Sequence, residues 1–250
     1  MKKQFLCIGL DSDVAQIPKG ETQFSFNQAI VEATCDLALS YKINSAFYEA
    51  CGEAGWRAMR ETIGFIHQQA PEVPVILDAK RGDIGNTSEA YARAAFDELK
   101  ADAVTLSPYL GGEALEPFLK RKEKVCFILC RTSNPGAKEF QDLLVEGEPL
   151  YLKIARRVAT EWNKNKNCGL VVGATYPEEL KKVREAAPDL PFLVPGIGAQ
   201  GGDLKKTLEA GRDKNGHGLL INISRSAIFA SAGDDFAEAC RKKVLSLMGS

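Results

Sequence analysis

Residues 73–87 read Val-Pro-Val-Ile-Leu-Asp-Ala-Lys-Arg-Gly-Asp-Ile-Gly-Asn-Thr. The stretch opens as an apolar run, Val73–Ala79, of the length of one strand. It turns charged at Asp78 and Lys80 and then enters a glycine-containing loop. Asn86-Thr87-Ser88-Glu89 follows in the form of a capping box, with Asn86 as N-cap and Glu89 three residues on, which predicts a helix through Leu99. A strand that is apolar along nearly its whole length is buried on both faces, as strands of a parallel sheet are.

The same unit recurs outward in both directions. Apolar runs occupy Phe5–Leu10, Ser40–Ile43, Ala103–Ser107, Val125–Cys130, Gly169–Gly173, Pro191–Pro195 and Gly218–Ile223. Helical periodicity fills the intervals at 24–39, 55–69, 113–120, 149–162, 177–187, 202–210 and 234–247; Trp56, Met59, Ile63 and Ile66, for example, repeat at three and four. Strict alternation of eight strands with helices favours a closed (β/α)8 barrel, the TIM barrel, over an open doubly wound sheet. A length of 250 residues matches one such barrel, so a single domain over residues 1–250 is expected. The connection from Thr132 to Asn167, between the fifth and sixth strands, is long, and Thr132-Ser133-Asn134-Pro135-Gly136 at its start reads as an ordered turn.

Composition narrows the function. Basic and acidic residues number 32 and 33, a net charge of −1, which gives no field to attract nucleic acid or an acidic membrane. An anionic ligand therefore needs a local site. The seven cysteines are scattered and include no Cys-x-x-Cys pair, which indicates a reducing compartment. The apolar stretch after Lys2-Lys3 reaches Asp11 too soon for a signal peptide, and no run approaches the ~18 apolar residues of a membrane span, so a cytoplasmic protein is expected. His67 and His217 have no partner at ligand spacing, and no metal site is expected.

Barrel enzymes place their chemistry at the C-terminal ends of the strands. Here those ends carry Asp11; Lys42 and Asn44; Asp78 and Lys80; Ser107; Thr132 and Ser133; and Asn222, Ser224 and Arg225. Residues i and i+2 of a strand share a face, so Lys42 pairs with Asn44 and Asp78 with Lys80, while Asp83 follows in the loop. Charges at such depth are costly unless they alternate in sign within a network. A rim of structural salt bridges uses the same residues, but four charges at neighbouring strand ends favour a site.

Asp78-Ala-Lys-Arg-Gly-Asp-Ile-Gly-Asn-Thr87 resembles the Asp-x-Lys-x-x-Asp-Ile-Gly-Asn-Thr motif of the orotidine 5′-phosphate decarboxylases, in the form one branch of that family carries. The resemblance extends from Asp11 to Arg225 and includes Tyr-Lys-Ile-Asn (41–44), Arg-Thr-Ser-Asn-Pro-Gly (131–136), Val-Gly-Ala-Thr (172–175) and Val-Pro-Gly-Ile-Gly-Ala-Gln-Gly-Gly (194–202). It implies decarboxylation of orotidine 5′-phosphate to UMP with no cofactor. Lys80, an ammonium between Asp78 and Asp83, is then the group that stabilises the C6 carbanion and protonates it; Lys42 completes the network. Asp11, with Asn44, is implied to hold the ribose, and Ser133 to read the pyrimidine edge. Pro195, Gln200, Ser224 and Arg225 are implied at the phosphate end, where glycines let backbone N–H groups approach an anion and an arginine grips it with paired hydrogen bonds. Asp83, Ile84 and Thr87 are implied to reach the neighbouring subunit's site in a homodimer. Two positions depart from the family: Ser224 stands where a glycine is common, and Gly202 where some members have tyrosine.

Other readings are weaker. Metal-dependent decarboxylases of the same superfamily share Asp-x-Lys-x-x-Asp but lack the Ile-Gly-Asn-Thr continuation. A Schiff-base aldolase needs a neutral lysine, which two flanking aspartates disfavour. A phosphoribosyl-ligand sensor does not need the complete Lys42/Asp78/Lys80/Asp83 set. Gly196-x-Gly198-x-x-Gly201 matches a dinucleotide pattern but lacks the acidic residue ~20 positions on.

Overall fold

The computed structural model describes residues 5–197 and 202–249. Eight parallel strands close into a barrel in sequence order: β1 (Leu6–Gly9), β2 (Ser40–Asn44), β3 (Val75–Arg81), β4 (Ala103–Leu106), β5 (Val125–Arg131), β6 (Cys168–Val172), β7 (Phe192–Val194) and β8 (Leu219–Ile223). Each of the eight apolar runs supplies one strand. β1, β4 and β6 are buried at every residue, as the absence of in/out alternation requires. The helices between them are α1 (Gln23–Thr34), α2 (Ala46–Glu49), α3 (Gly52–Gln69), α4 (Gly85–Arg93), α5 (Gly112–Leu119), α6 (Leu150–Arg157), α7 (Pro177–Ala186), α8 (Leu204–Gly211), α9 (Arg225–Ile228) and α10 (Phe236–Met248). None is long and apolar enough to cross a membrane among the described residues.

Contacts group the chain into two compact units. The first comprises the chain up to Ala79, Ala95–Asp102 and the chain from Asn222 on. In it α1 packs against α3 and α10, and Phe26 of α1 stacks on Phe229 and Phe236 with ring centroids 5.3 and 4.9 Å away. Register places Lys42 opposite both Gly9 and Ile76, and Asn44 opposite Asp78.

The second unit comprises Lys80–Ala94 and Ala103–Ile221. Arg184 is buried here and donates to the carbonyls of Gly211, Ala187, Pro188, Leu190 and Gly218, while its guanidinium lies 3.6 Å from the Phe192 ring centroid. It thereby ties the turn that follows α7 to the last carbonyl of α8 and to the segment before β8. The connection after β5 is ordered, with a 3-10 turn at Pro135–Glu139 and a short hairpin of Leu144–Val145 with Glu148–Pro149. Buried Arg131 pairs with Asp142 at 3.0 Å, and the Thr132 N–H donates to Gln141 Oε1 at 2.8 Å, so two bonds clamp this connection to the end of β5.

The capping box expected at Asn86 does not form. α4 starts at Gly85, whose φ is +51°, so Asn86 already lies inside the first turn, and the preceding Ile84 gives no side-chain cap. Glu89 turns instead to Lys120 and Arg121, at 2.6 and 3.0 Å. Two cations within reach outbid a single backbone N–H. A capping box does open α1, where Thr22 accepts from the Ser25 N–H and Ser25 accepts from the Thr22 N–H.

Candidate active site

In the first unit, three strand ends meet at Lys42. Its Nζ lies 3.1 Å from Asp11 Oδ1 and 3.1 Å from Asp78 Oδ2, and the lysine is only 3% exposed. Burial opposes its charge, but Asp11 and Asp78 outweigh burial and hold the lysine above its ordinary value of 10.5. This is the alternating arrangement expected of charges at such depth. Asn44, at the end of β2, accepts from the Ala46 N–H at 3.2 Å, so part of its capacity goes to the turn that starts α2.

At the end of β8, the Asn222 amide donates to Ser224 Oγ at 3.1 Å, and its Oδ1 is buried with no hydrogen-bond partner. Ser224 is accommodated by Gly9: a Cβ there would lie 2.0 Å from Ser224 Oγ. The serine that departs from the family pattern thus occupies room left by a glycine on β1. Arg225 is exposed at the first position of α9. Asp13, held below the usual carboxylate range by hydrogen bonds from Gln16 and Ala15, also feels the charge of Arg225.

In the second unit, Lys80 is exposed and its backbone is left-handed, with φ +46°. The Lys80 N–H donates to Oγ1 of buried Thr105 at 2.9 Å. Gly82 packs close to Ser107, whose N–H donates to the Arg81 carbonyl at 2.7 Å. Asp83 accepts from the Ile84 N–H at 2.8 Å, and Ile84 and Thr87 are exposed.

Ser133 lies against the end of β6: a Cβ on Gly173 would meet the Ser133 Cβ and N at 2.8 Å. The carbonyl of Pro195 accepts from the Ala174 N–H at 2.9 Å. Gln200 lies outside the described residues. The Gly202 N–H donates to the Gly196 carbonyl at 3.1 Å. A Cβ at position 202 would meet that carbonyl oxygen at 2.8 Å and Ala174 at 2.9 Å, so this close approach suits a glycine.

Thr105 and a buried polar group around Asn27 and Tyr48 lie outside the strand-end pattern of the sequence. Gln23 and Asn27, four apart on the buried side of α1, were the available signal. Among the described residues no three of His, Cys, Asp and Glu are grouped to hold a metal ion.

Residues 4–242 match the family model described as orotidine 5′-phosphate decarboxylase / HUMPS family. A relative from Herpetosiphon aurantiacus named orotidine 5′-phosphate decarboxylase is 57% identical over 95% of this chain and 88% of its own length. The solved structure of Leishmania donovani OMP decarboxylase superposes with a TM-score of 0.85 at 41% identity, covering 100% of this chain and 95% of that one. Leishmania donovani UMP synthase gives 0.87 at 43% identity, covering 99% of this chain and 54% of that longer one. With a barrel of eight parallel strands, a lysine buried between two aspartates at its strand ends, and similarity of this extent, the chain belongs to the orotidine 5′-phosphate decarboxylase / HUMPS family.

Proposed function

We propose that the chain, working as one domain in the cytoplasm, decarboxylates orotidine 5′-phosphate to UMP in pyrimidine biosynthesis without metal or organic cofactor. The observation that carries this reading is the buried Asp11–Lys42–Asp78 network in a chain with the Asp78–Thr87 motif. The C6–carboxylate bond breaks, CO2 leaves, and the electron pair stays on C6. Lys80 Nζ, carried by the same strand as Asp78 and followed by Asp83, stabilises that pair and transfers its proton to C6; solvent reprotonates the amine. Fixed charges take the place of the electron sink a cofactor provides. The barrier reduction required is on the order of 20 kcal/mol, and binding of the remote phosphate contributes to it.

Asp11 and Asn44 hold the ribose, Ser133 reads the base, and Pro195, Gln200, Ser224 and Arg225 form the phosphate end. Asp83, Ile84 and Thr87 serve the partner's site in a homodimer. Exposed apolar side chains around this segment, Ile84 at 58% and Tyr109 at 88%, support a covered surface there.

The deciding assay follows ultraviolet absorbance of orotidine 5′-phosphate with purified protein in EDTA. Loss of the substrate band with UMP formed is the expected outcome. An unchanged spectrum, with activity on a sugar-phosphate acid restored by magnesium, would replace this reading with that of the metal-dependent relatives.

A further inference from the structure

Resting on the reading of Asp11 as the ribose-holding carboxylate, we infer that Asn27 and Tyr48 are positioning residues that set Asp11 in place. Asp11 lies between Leu10 and Ser12, and both neighbours are tied down from behind. The Tyr48 hydroxyl donates to the Leu10 carbonyl at 2.8 Å. The Ser12 hydroxyl donates to Asn27 Oδ1, and the Ser12 carbonyl accepts from Gln23 Nε2 at 2.8 Å.

The two ties are joined. Asn27 Nδ2 donates to the Tyr48 hydroxyl at 2.8 Å and to Thr62 Oγ1 at 3.0 Å. Every polar atom of the Asn27 side chain is therefore in use, and Tyr48 both accepts and donates. Ser12, Asn27 and Tyr48 are fully buried, and Thr62 and Gln23 nearly so. A connected buried network of this kind fixes one geometry, since each alternative leaves a polar group unpaired.

The network brings α1, α2 and α3 to bear on the two peptides that flank Asp11. Among the described residues, its hydrogen bonds go to neutral groups rather than to the charged side chains of the site. On the opposite side, the Leu10 N–H donates to the Lys42 carbonyl at 2.8 Å and Asp11 meets the Lys42 ammonium at 3.1 Å. A shift of the Leu10–Ser12 segment thus moves the carboxylate relative to the ribose and to Lys42 together.

The test compares kcat/KM of wild type, Tyr48→Phe, Asn27→Leu and Asp11→Ala on orotidine 5′-phosphate and on its 2′-deoxy and 3′-deoxy analogues. Asp11→Ala identifies the hydroxyl that Asp11 holds, because its loss shrinks on the analogue lacking that group. Tyr48→Phe is expected to lose about tenfold on the full substrate and less than about threefold on that same analogue. Equal losses on all three substrates would make the network merely structural and overturn the inference. If Asp11→Ala itself discriminates among none of them, the ribose reading of Asp11 fails and takes this inference with it. Tyr48→Phe keeps the ring in place, so the test stands even where Asn27→Leu does not fold.

Discussion

Lys80 occupies a backbone region that costs a side-chain-bearing residue about 1–2 kcal/mol. Non-glycine residues stay there only when their surroundings hold them, and such strain clusters at functional positions. The Lys80 amide is held by Oγ1 of Thr105. Thr105→Val keeps the shape and removes the acceptor, so kcat should fall about tenfold with KM little changed, and Thr105→Ser should restore it. Steady-state kinetics on the three proteins checks this; a valine variant with normal kcat refutes it. Lys42 is a different case, since its environment acts on stability. Its folded-state affinity for a proton exceeds the unfolded one, so its ionic contribution is fully present below pH 10.5 and is lost as pH rises toward the higher folded value. Lys42→Met leaves Asp11 and Asp78 without their buried cation and should destabilise by about 3–5 kcal/mol at pH 7. Urea unfolding should show that gap unchanged to about pH 10 and narrowing above it. A gap that widens above pH 10 contradicts the assignment.

The elements differ in how far their sequences disclosed them. All eight strands were legible because each apolar run is buried on both faces and bounded by turn residues, as Val125–Arg131 shows. Helix starts were less so, since a cap depends on backbone geometry that the residue pattern does not carry. Asn86 and Glu89 have the right spacing, but Gly85 with positive φ begins the helix two residues earlier than a cap at Asn86 would. Thr22 and Ser25 lack the usual glutamate and yet form the working box. Thr22→Ala should therefore cost about 1 kcal/mol, whereas Asn86→Ala should cost under about 0.5 kcal/mol. Denaturation midpoints of the two variants decide it, and a reversed order would restore the cap at Asn86. Site residues followed the same division. Asp11, Lys42 and Asp78 were legible as charges at strand ends, because burial forces such charges together. The Thr105 support of Lys80 was not, because nothing in Ala-Val-Thr-Leu announces a hydrogen bond to the preceding strand's amide.

At the scale of the whole molecule, the question is whether one chain is enough. Ile84, Tyr109 and Leu110 expose 58%, 88% and 47% of their surface on the segments that follow β3 and β4. Apolar side chains that close to a functional segment fit a covered surface better than a solvated one. Asp83 stands one residue before Ile84, so whatever covers Ile84 is placed to receive Asp83 as well. In a homodimer with composite sites, each site takes Lys80 from one subunit and Asp83 from the other. Lys80→Ala and Asp83→Ala homodimers are then both inactive, because every site lacks one group. Mixed and allowed to exchange, they form heterodimers in about half of all pairs, and each heterodimer has one site with both groups intact. About a quarter of wild-type activity should therefore return, alongside a light-scattering mass twice the 27.2 kDa of one chain. If Lys80 and Asp83 instead act within one subunit, every site in every pair lacks a group and mixing restores nothing, even where the mass is that of a dimer.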